Sequence, residues 1–293
     1  MKSLRNRVAV VTGAGSGIGR GLALELAAEG CTLALVDVNP ETLAETAAMV
    51  PGASTHVVDV SDRAAMEELP AAVLAAHGRV ELLFNNAGIA VHGTFDELTY
   101  EDWDRVMGVN LWGVVHGCKA FMPHLEMADE AWIVNISSVF GLVAVPTQSI
   151  YCTTKFAVRG FTEVLDEELQ GTNIGVSVVH PGAIDTNIVD SPSYDPDTAR
   201  RSKEFFAQHA LDPRTAAKVI VAGVKAKRLR IMVGREAPLI DRLKRLLPVW
   251  GNRFIVSRAV KDLGLGGLRS KKLVDREERI AQRRAALTSE LTP

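Results

Sequence analysis

Short, almost wholly apolar segments alternate with helical patterns six or seven times along this chain. Residues 8–11, 32–36, 82–84, 131–136 and 174–179 are such segments, and the stretches between them repeat apolar residues at spacings of three and four. Strands buried on both faces have this continuous apolar character, and strand–helix alternation is typical of parallel sheets. The sequence therefore predicts an α/β fold in which one doubly wound parallel sheet of about seven strands is flanked by helices.

The alternation ends near residue 234, and the last part of the chain has a different composition. Residues 235–293 contain 14 Lys and Arg against 7 Asp and Glu, whereas residues 1–234 contain 19 against 28. We therefore predict one sheet domain at 1–234 and a basic, amphipathic, helical extension at 235–293. The whole chain has a net charge of −2, which gives no indication of nucleic-acid binding.

Several other classes of protein are disfavoured. The N-terminal residues lead directly into the first apolar segment, and no apolar run approaches the roughly 18 residues of a membrane span. We therefore expect neither a signal peptide nor a transmembrane segment. Cys31, Cys118 and Cys152 are widely separated, which indicates a reducing compartment and predicts a cytoplasmic protein. The histidines lack the spacing of metal ligands, and we predict no metal.

A glycine-rich stretch at residues 12–19 follows the first apolar segment and opens a helix. Gly13, Gly17 and Gly19 have the spacing G-x-x-x-G-x-G, which differs from the more general G-x-G-x-x-G. A strand, a glycine loop and a helix N-terminus together provide close backbone approach, free N–H groups and a positive dipole, which suit the diphosphate of a dinucleotide. The alternative is a tight structural connection.

Two aspartates end the next two apolar strands. Asp37 comes about 20 residues after the glycine loop, where a carboxylate can accept hydrogen bonds from an adenosine ribose. It would repel a ribose 2′-phosphate, and no Arg or Lys follows it at once, so NAD is favoured over NADP. The alternative for Asp37 is a carboxylate near the N-terminus of the following helix. Asp59 either reaches an adenine amino group or shapes a turn.

Tyr151 and Lys155 lie four residues apart in a helical pattern, and Ser138 precedes them at the end of segment 131–136. An ammonium beside a phenol favours the phenolate, and a hydroxyl at a strand end can hold a substrate oxygen. This arrangement predicts a proton-transfer site. A solvated helix face is the alternative.

Polar residues also occur at two further positions. The sequence Asn-Asn-Ala-Gly at 85–88 follows the fourth strand, where it either lines a flat ligand or locks neighbouring strands. Asn110 lies inside a long helical pattern over 101–121, where a buried amide needs a partner.

Taken together, these motifs resemble the short-chain dehydrogenase/reductases, over residues 7–234. The matching features are T-G-x-x-x-G-x-G at 12–19, N-N-A-G at 85–88, Asn110, Ser138 thirteen residues before Tyr151, Y-x-x-x-K at 151–155 and P-G-x-x-x-T at 181–186. Six features in this order are highly specific. The resemblance implies a Rossmann-type sheet and oxidoreductase activity.

The resemblance also implies a role for each matched residue. Tyr151 would be the general acid/base, Ser138 would orient the substrate oxygen, Lys155 would bind the nicotinamide ribose and lower the pKa of Tyr151, and Asn110 would hold a water in a relay. Ile184 and Thr186 would hold the carboxamide. The complete set implied to bind cofactor is Gly13, Ser16, Gly17, Ile18, Gly19, Asp37, Asp59, Val60, Asn86, Ala87, Gly88, Tyr151, Lys155, Pro181, Gly182, Ile184 and Thr186. By analogy, we expect a homodimer or homotetramer formed through the helices that carry Asn110 and Tyr151.

We therefore predict an NAD-dependent enzyme that interconverts a secondary alcohol and a ketone by hydride transfer. The apolar residues Ile188, Val189, Phe205 and Phe206 favour a steroid-, retinoid- or lipid-like substrate. A small diol or acetoin-like substrate and a non-catalytic NAD-binding scaffold are the alternatives.

The extension departs from the family pattern. Its apolar residues Leu239, Ile240, Leu243, Leu246 and Leu247 are predicted to share one helical face, with Arg242, Lys244 and Arg245 between them. Such a helix either lies on an anionic membrane surface, covers the substrate pocket or packs against another subunit.

Overall fold

The computed structural model describes residues 1, 3–186, 210–262 and 280. Within them, seven parallel strands form one sheet in the order β3-β2-β1-β4-β5-β6-β7. The strands are β1 (Val8–Thr12), β2 (Thr32–Asp37), β3 (Ser54–Val57), β4 (Leu82–Asn85), β5 (Ala131–Ile136), β6 (Ile174–Pro181) and β7 (Arg230–Val233). The predicted doubly wound α/β sheet is confirmed.

Helices connect the strands and cover both faces of the sheet. They are α1 (Gly17–Ala28), α2 (Pro40–Met49), α3 (Arg63–His77), α4 (Tyr100–Met107), α5 (Gly113–Leu125), α6 (Ser149–Glu168), α7 (Pro213–Lys225), α8 (Glu236–Leu246) and α9 (Trp250–Asp262). One apolar cluster lies between the sheet and α1 and α7, where Leu22 and Ile220 are fully buried. A second lies on the opposite face, where Met66 of α3 and Phe121 of α5 are fully buried. Burial on both faces explains why the five inner strands are nearly continuously apolar.

The predicted helix over 101–121 is not regular. A π-helical segment, Gly108–Trp112, separates α4 from α5, and Asn110 lies inside it. Segments of this kind widen the helix by one residue and often occur at functional sites. Here the widened turn points the Asn110 side chain into the protein, where it is fully buried.

Two local features depend on neighbouring groups. Ser61 is a residue type common at helix N-caps, but the N-cap of α3 is Asp62, whose carboxylate accepts hydrogen bonds from the N–H groups of Ala64 and Ala65. On α6, Phe156 and Val164 belong to the apolar helical spacing but face outwards. The sequence also indicates a helix around residues 199–209, which lies outside the described residues.

The first part of the extension packs against the sheet domain. Arg230 at the start of β7 forms an ion pair with Asp241 of α8 at 2.8 Å. Asn252 of α9 accepts a hydrogen bond from the backbone N–H of Ala144 at 3.1 Å, in the segment between β5 and α6. Helices α8 and α9 therefore lie over one end of the sheet.

The apolar residues predicted to share one face of the extension differ in burial. Ile240 and Leu243 are partly buried, whereas Leu239 and Leu246 are exposed and Leu247 lies beyond the end of α8. Among the described residues, no helix has the length and apolarity needed to cross a membrane.

Candidate active site

The strand order reverses between β1 and β4, which are neighbours in the sheet although β2 follows β1 in the chain. Ligands of open parallel sheets bind at the carboxyl ends of the strands beside such a reversal. Asp37, Asn85, Ser138 and Pro181 all lie at or just beyond strand ends on this edge. The fold therefore brings most of the predicted site residues to one edge of the sheet.

The glycine loop fits closely against the segment after β4. A Cβ added at Gly13, which has φ +64°, would lie 2.8 Å from Cα of Ala87. At Gly17, with φ +50°, it would lie 2.9 Å from Cγ2 of Thr186. Only glycine tolerates both the positive φ and this proximity. The loop thus touches two other predicted cofactor-binding segments.

The N-terminus of α1 is suited to an anionic group. Ser16 is the N-cap residue, but its side chain forms no capping hydrogen bond, and the first turn of α1 carries no acidic residue. Gly19 is buried against the loop, where a Cβ would overlap the carbonyl of Gly13. Together with Ile18, these residues present a narrow backbone cradle at a positive helix end, and a diphosphate fits such a cradle.

Asp37 contacts the glycine loop directly. Its Oδ2 accepts a hydrogen bond from the N–H of Gly15 at 2.8 Å, and its Oδ1 accepts one from the N–H of Asn39 at 3.0 Å. Helix α2 is capped by Asn39, whose side chain accepts from the N–H of Thr42. Asp37 is therefore not the cap of α2, and its carboxylate is fixed beside the loop.

Asp59 shapes a turn after β3. Its Oδ1 accepts hydrogen bonds from the backbone N–H of Ser61 at 2.8 Å and from the Ser61 hydroxyl at 2.7 Å. Val60 is buried next to it, where its side chain packs close to Gly113. These hydrogen bonds shape the turn, and a contact of Asp59 with an adenine stays a prediction.

The Asn-Asn-Ala-Gly segment locks neighbouring strands. The Thr12 hydroxyl accepts hydrogen bonds from the N–H groups of Asn86 and Ala87, and the Asn86 amide donates to the carbonyls of Thr12 and Gly13. Asn85 is buried and donates to Oδ1 of Asn135 at 2.9 Å. The side chains of Asn85 and Asn86 are therefore held by hydrogen bonds within the protein. The backbone of Ala87 lies against Gly13 of the glycine loop, and Gly88 follows it.

Ser138 and Tyr151 are close together although thirteen residues separate them. The Ser138 hydroxyl accepts a hydrogen bond from the N–H of Phe140 at 3.1 Å, and it lies near enough to the Tyr151 phenol to lower its pKa. The Phe140 ring packs edge-on against Tyr151, with ring centroids 6.1 Å apart. These contacts hold the phenol and the hydroxyl side by side.

Lys155 is buried next to Tyr151. Its Nζ is 5.5 Å from the centre of the Tyr151 ring and donates a hydrogen bond to the carbonyl of Ile136 at 2.9 Å. The side chain is only 3% exposed. The Ser137 hydroxyl donates to the backbone carbonyl of Lys155 at 2.7 Å, which ties α6 to the end of β5.

Burial governs the proton affinities of both groups. It raises the pKa of Tyr151 to about 12, because the phenolate loses hydration, and the nearby Ser138 hydroxyl offsets only part of this effect. Burial also lowers the pKa of Lys155 to about 8. The resemblance implied that Lys155 lowers the pKa of Tyr151, but in this structure the desolvation of the phenol outweighs any such effect.

Asn110 completes the buried part of the site. Its Oδ1 accepts a hydrogen bond from the N–H of Ile89 at 2.8 Å, and its Nδ2 donates to the carbonyl of Ile89 at 2.9 Å and to Oγ1 of Thr154 at 3.2 Å. A Cβ added at Gly88 would lie 3.3 Å from Oδ1 of Asn110 and 3.4 Å from Nζ of Lys155. Asn110 and Lys155 thus flank the same glycine.

The segment after β6 returns to the glycine loop. Ile184 is buried and pairs with Leu211 through an isolated bridge, and the methyl group of Thr186 lies beside Gly17. Pro181 is the last residue of β6, and Gly182 donates its N–H to the carbonyl of Val233 at 2.9 Å. Predicted cofactor-binding residues from opposite ends of the sheet domain therefore meet at this edge.

Two polar side chains that the sequence analysis did not single out also reach the site. His180 is fully buried, and its Nδ1–H donates to the carbonyl of Ser138 at 3.0 Å. Burial lowers the pKa of His180 to about 4, so the ring is neutral. Its Nε2 has no hydrogen-bond partner among the described residues. In the sequence, the signal for His180 was a polar residue near the end of a largely apolar strand.

The second of these polar side chains is Glu236, the first residue of α8. Its Oε1 accepts a hydrogen bond from the N–H of Ala183 at 2.9 Å. A Cβ at Gly182 would overlap this carboxylate, and one at Gly234, which has φ +99°, would lie 2.9 Å from it. No sequence spacing indicated this contact, because it joins the extension to the segment after β6.

The apolar substrate was predicted from four residues that lie outside the described part of the chain, namely Ile188, Val189, Phe205 and Phe206. Within residues 3–186 and 210–262, no group of His, Cys, Asp and Glu has the arrangement of a metal site.

Comparison with known proteins identifies the family. Residues 7–196 match the family described as short chain dehydrogenase. The putative oxidoreductase SadH of Mycobacterium tuberculosis is 42% identical over 270 residues, which cover 89% of this chain and 98% of that protein. The covered share is larger than residues 1–234 alone can supply, so the similarity reaches into the extension.

Solved structures agree with this assignment. A short chain dehydrogenase/reductase from Burkholderia phymatum in complex with NAD has a TM-score of 0.78 and 32% identity, covering 84% of this chain and 95% of that chain. Levodione reductase has a TM-score of 0.74 and 31% identity, covering 79% of this chain and 97% of that chain. The chain belongs to the short-chain dehydrogenase family and is an oxidoreductase of that type.

Proposed function

We propose that the protein uses NAD to interconvert a secondary alcohol and a ketone. The observation that carries this proposal is the convergence of the Ser138 hydroxyl, the Tyr151 phenol and the Lys155 ammonium, with Lys155 next to Gly88. When bound, a nicotinamide supplies the group that accepts or donates hydride. The protein's own residues then have to hold the reactants and move one proton.

Residues on the sheet edge hold the dinucleotide in this proposal. Gly13 to Gly19 bind the diphosphate through backbone N–H groups, with Ser16 and Ile18 at the start of α1. Val60 and Asp59 lie on the adenine side, and the backbone of residues 86–88 supports the middle of the cofactor. The segment of Pro181, Gly182, Ile184 and Thr186 holds the nicotinamide end. The contact between Gly17 and Thr186 supports this assignment.

Tyr151 is the proton donor and acceptor in the proposed reaction. With a pKa of about 12 the phenol is protonated at neutral pH, and it can therefore donate to the oxygen of a ketone. Ser138 donates a hydrogen bond that orients the same oxygen. Lys155 binds the ribose hydroxyls and favours the phenolate after proton loss, and Asn110 holds a water that connects Lys155 with solvent.

Asp37 is the basis for proposing NAD and not NADP. Its carboxylate is fixed at the end of β2 by the N–H groups of Gly15 and Asn39. A ribose 2′-hydroxyl can donate to this carboxylate, whereas a 2′-phosphate would be repelled by it. Val38, which follows Asp37, is an exposed apolar residue that offers no compensating positive charge.

We also propose an apolar substrate. Among the described residues, Phe140 packs against the Tyr151 phenol, and Val145 is buried in the same segment between β5 and α6. Apolar side chains next to the reacting oxygen bind a hydrocarbon skeleton better than they bind a small diol. Steroid-, retinoid- and lipid-like alcohols therefore rank first in an activity screen.

The remaining features of the proposal concern assembly and location. Trp112, Phe156 and Val164 are exposed on or beside the helices that carry Asn110 and Tyr151, which supports a homodimer or homotetramer formed through them. All three cysteines are free thiols, which supports a reducing, cytoplasmic location. We retain the division into a sheet domain at 1–234 and an extension at 235–293.

The decisive experiment compares Tyr151→Phe with Tyr100→Phe, a substitution at an exposed tyrosine at the start of α4. NADH formation is measured with secondary alcohols from short diols to steroids, and NAD binding is measured by calorimetry. We expect Tyr151→Phe to lower kcat by about 100-fold or more with unchanged NAD affinity, and Tyr100→Phe to resemble the parent. Near-normal turnover of Tyr151→Phe would refute the catalytic role, and NAD binding without any turnover by the parent would favour a scaffold.

A further inference from the structure

The outer surface of helices α8 and α9 combines exposed apolar residues with arginines. Leu246 is 80% exposed, Trp250 72% and Phe254 63%. With Leu239, Leu247 and Val249, which are also exposed, these residues form what we call the hairpin surface. Six large apolar side chains along one short helical hairpin exceed the scattered exposed apolar residues that are normal on a protein surface.

The acidic side chains of this hairpin contact the sheet domain, and basic side chains are exposed on its outward side. The two acidic residues with described side chains in α8 and α9 point towards the sheet domain, where Glu236 binds the N–H of Ala183 and Asp241 pairs with Arg230. Arg245 pairs with Asp241 at 3.2 Å, whereas Arg242 and Arg253 are exposed and supply the outward positive charge. The outward side of the hairpin is therefore apolar and cationic.

Trp250 is placed as an interfacial anchor. Its ring is exposed, and the guanidinium of Arg253 lies 5.8 Å from the ring centre. Tryptophan is enriched at the boundary between lipid headgroups and hydrocarbon, because its indole has an apolar body and one polar N–H. Arginine beside it is suited to a lipid phosphate.

We propose that the hairpin surface docks on an anionic phospholipid bilayer. Amphipathic helices that carry basic residues next to exposed aromatic and aliphatic side chains bind in the plane of such a membrane. A second copy of the chain fits less well, because a two-fold contact would place the same arginines opposite one another. The docking surface is joined to the candidate active site, since Asn252 of α9 binds the backbone of Ala144.

The test is flotation of the full-length protein with phospholipid vesicles. Vesicles of phosphatidylcholine alone are compared with vesicles that contain about 30% phosphatidylglycerol, at low and high salt. We expect binding to the anionic vesicles only, weakened by salt. Because a basic residue near such a surface contributes about 1 kcal/mol, the double variant Arg242→Gln/Arg253→Gln should partition about 30-fold more weakly.

Matched variants distinguish lipid docking from nonspecific hydrophobic adsorption to vesicles. Trp250→Ser/Phe254→Ser should abolish flotation, whereas Tyr100→Ser/Met127→Ser, which removes two equally exposed apolar residues from the sheet domain, should leave it intact. Thermal unfolding and solution mass are measured for each variant. Absence of flotation of the parent would overturn the proposal. So would an equal loss in both apolar variants, or a hairpin variant that changes the oligomeric mass without affecting vesicle binding.

Discussion

Glu236 links the C-terminal extension to the segment that we propose to hold the nicotinamide. It accepts a hydrogen bond from the N–H of Ala183 at 2.9 Å, and its carboxylate occupies space that is available only because residues 182 and 234 are glycines. A hydrogen bond to a charged group contributes about 1.5–3 kcal/mol. Since Glu236 is partly exposed, we use the lower part of this range, about 1.5–2 kcal/mol.

We expect Glu236→Ala to weaken NAD binding by about 10- to 30-fold, which is the factor that corresponds to this free energy. The reason is that the segment around Ala183 loses the interaction that fixes its backbone. Calorimetric titration with NAD measures the effect directly. Glu236→Gln keeps a carbonyl oxygen in the same place and should restore most of the affinity, and Arg235→Ala, at the exposed neighbouring residue, should have no effect.

Binding of ADP separates positioning from general destabilisation. ADP reaches only the diphosphate and adenosine parts of the proposed site, so its affinity should not change in Glu236→Ala. Equal weakening of NAD and ADP would indicate a damaged fold, and unchanged NAD affinity would refute the positioning role.

A second substitution tests the same contact from the opposite side. A Cβ at Gly182 overlaps the Glu236 carboxylate, so Gly182→Ala alone should weaken NAD binding. In the presence of Glu236→Ala, the same change should cost much less, because the obstructing group is gone. Strictly additive effects in this double-mutant cycle would contradict the contact.

Three further outcomes are expected. With a Tyr151 pKa of about 12, alcohol oxidation, which needs the phenolate, should accelerate about tenfold per pH unit below about pH 8, where Lys155 keeps its charge, and less steeply above it. Ketone reduction should stay flat below about pH 8, and an oxidation rate that is flat there would contradict the assignment. Lys155 has a pKa of about 8 in the folded protein against a reference value of 10.5, so between these pH values the folded state binds fewer protons and the free energy of unfolding rises with pH. Lys155→Met should remove this pH dependence and relieve a cost of about 3 kcal/mol near pH 7. Denaturant unfolding at several pH values measures both effects. Gly175→Ala should destabilise the protein by about 1–3 kcal/mol, because a Cβ there overlaps the buried Trp132 indole, whereas Gly160→Ala on α6, where the space is open, should stabilise it slightly in the same thermal unfolding assay.

Much of the fold could be predicted because its determinants are local. The five inner strands of the sheet are nearly continuous apolar runs, and burial on both faces produces this pattern. The outer strands β3 and β7 are only partly buried and carry polar residues. The glycine loop was equally readable, since Gly13 and Gly17 adopt positive φ values that other residues disfavour. Local patterns do not show which apolar residues are buried where neighbouring elements decide it, as for Phe156 and Val164 on α6.

The site was predictable as a set of residues but not as a set of interactions. Spacing alone placed Tyr151 and Lys155 on one helix, but it could not show that Lys155 donates to the carbonyl of Ile136. The contacts of Asn110 with Ile89 and Thr154 depend on the π-helical turn, which apolar periodicity does not reveal. His180 and Glu236 were missed because their partners are distant in sequence.

The sequence by itself determined the parallel sheet, the position of the glycine loop and the family, because these depend on residue type and short-range spacing. Tertiary structure decided the proton affinities and the connection between the extension and the site. Desolvation raises the pKa of Tyr151, although the neighbouring lysine indicated a decrease. Solvent exclusion and long-range contacts such as that between Glu236 and Ala183 arise only when all the layers pack together, and for this reason no single stretch of the chain encodes them.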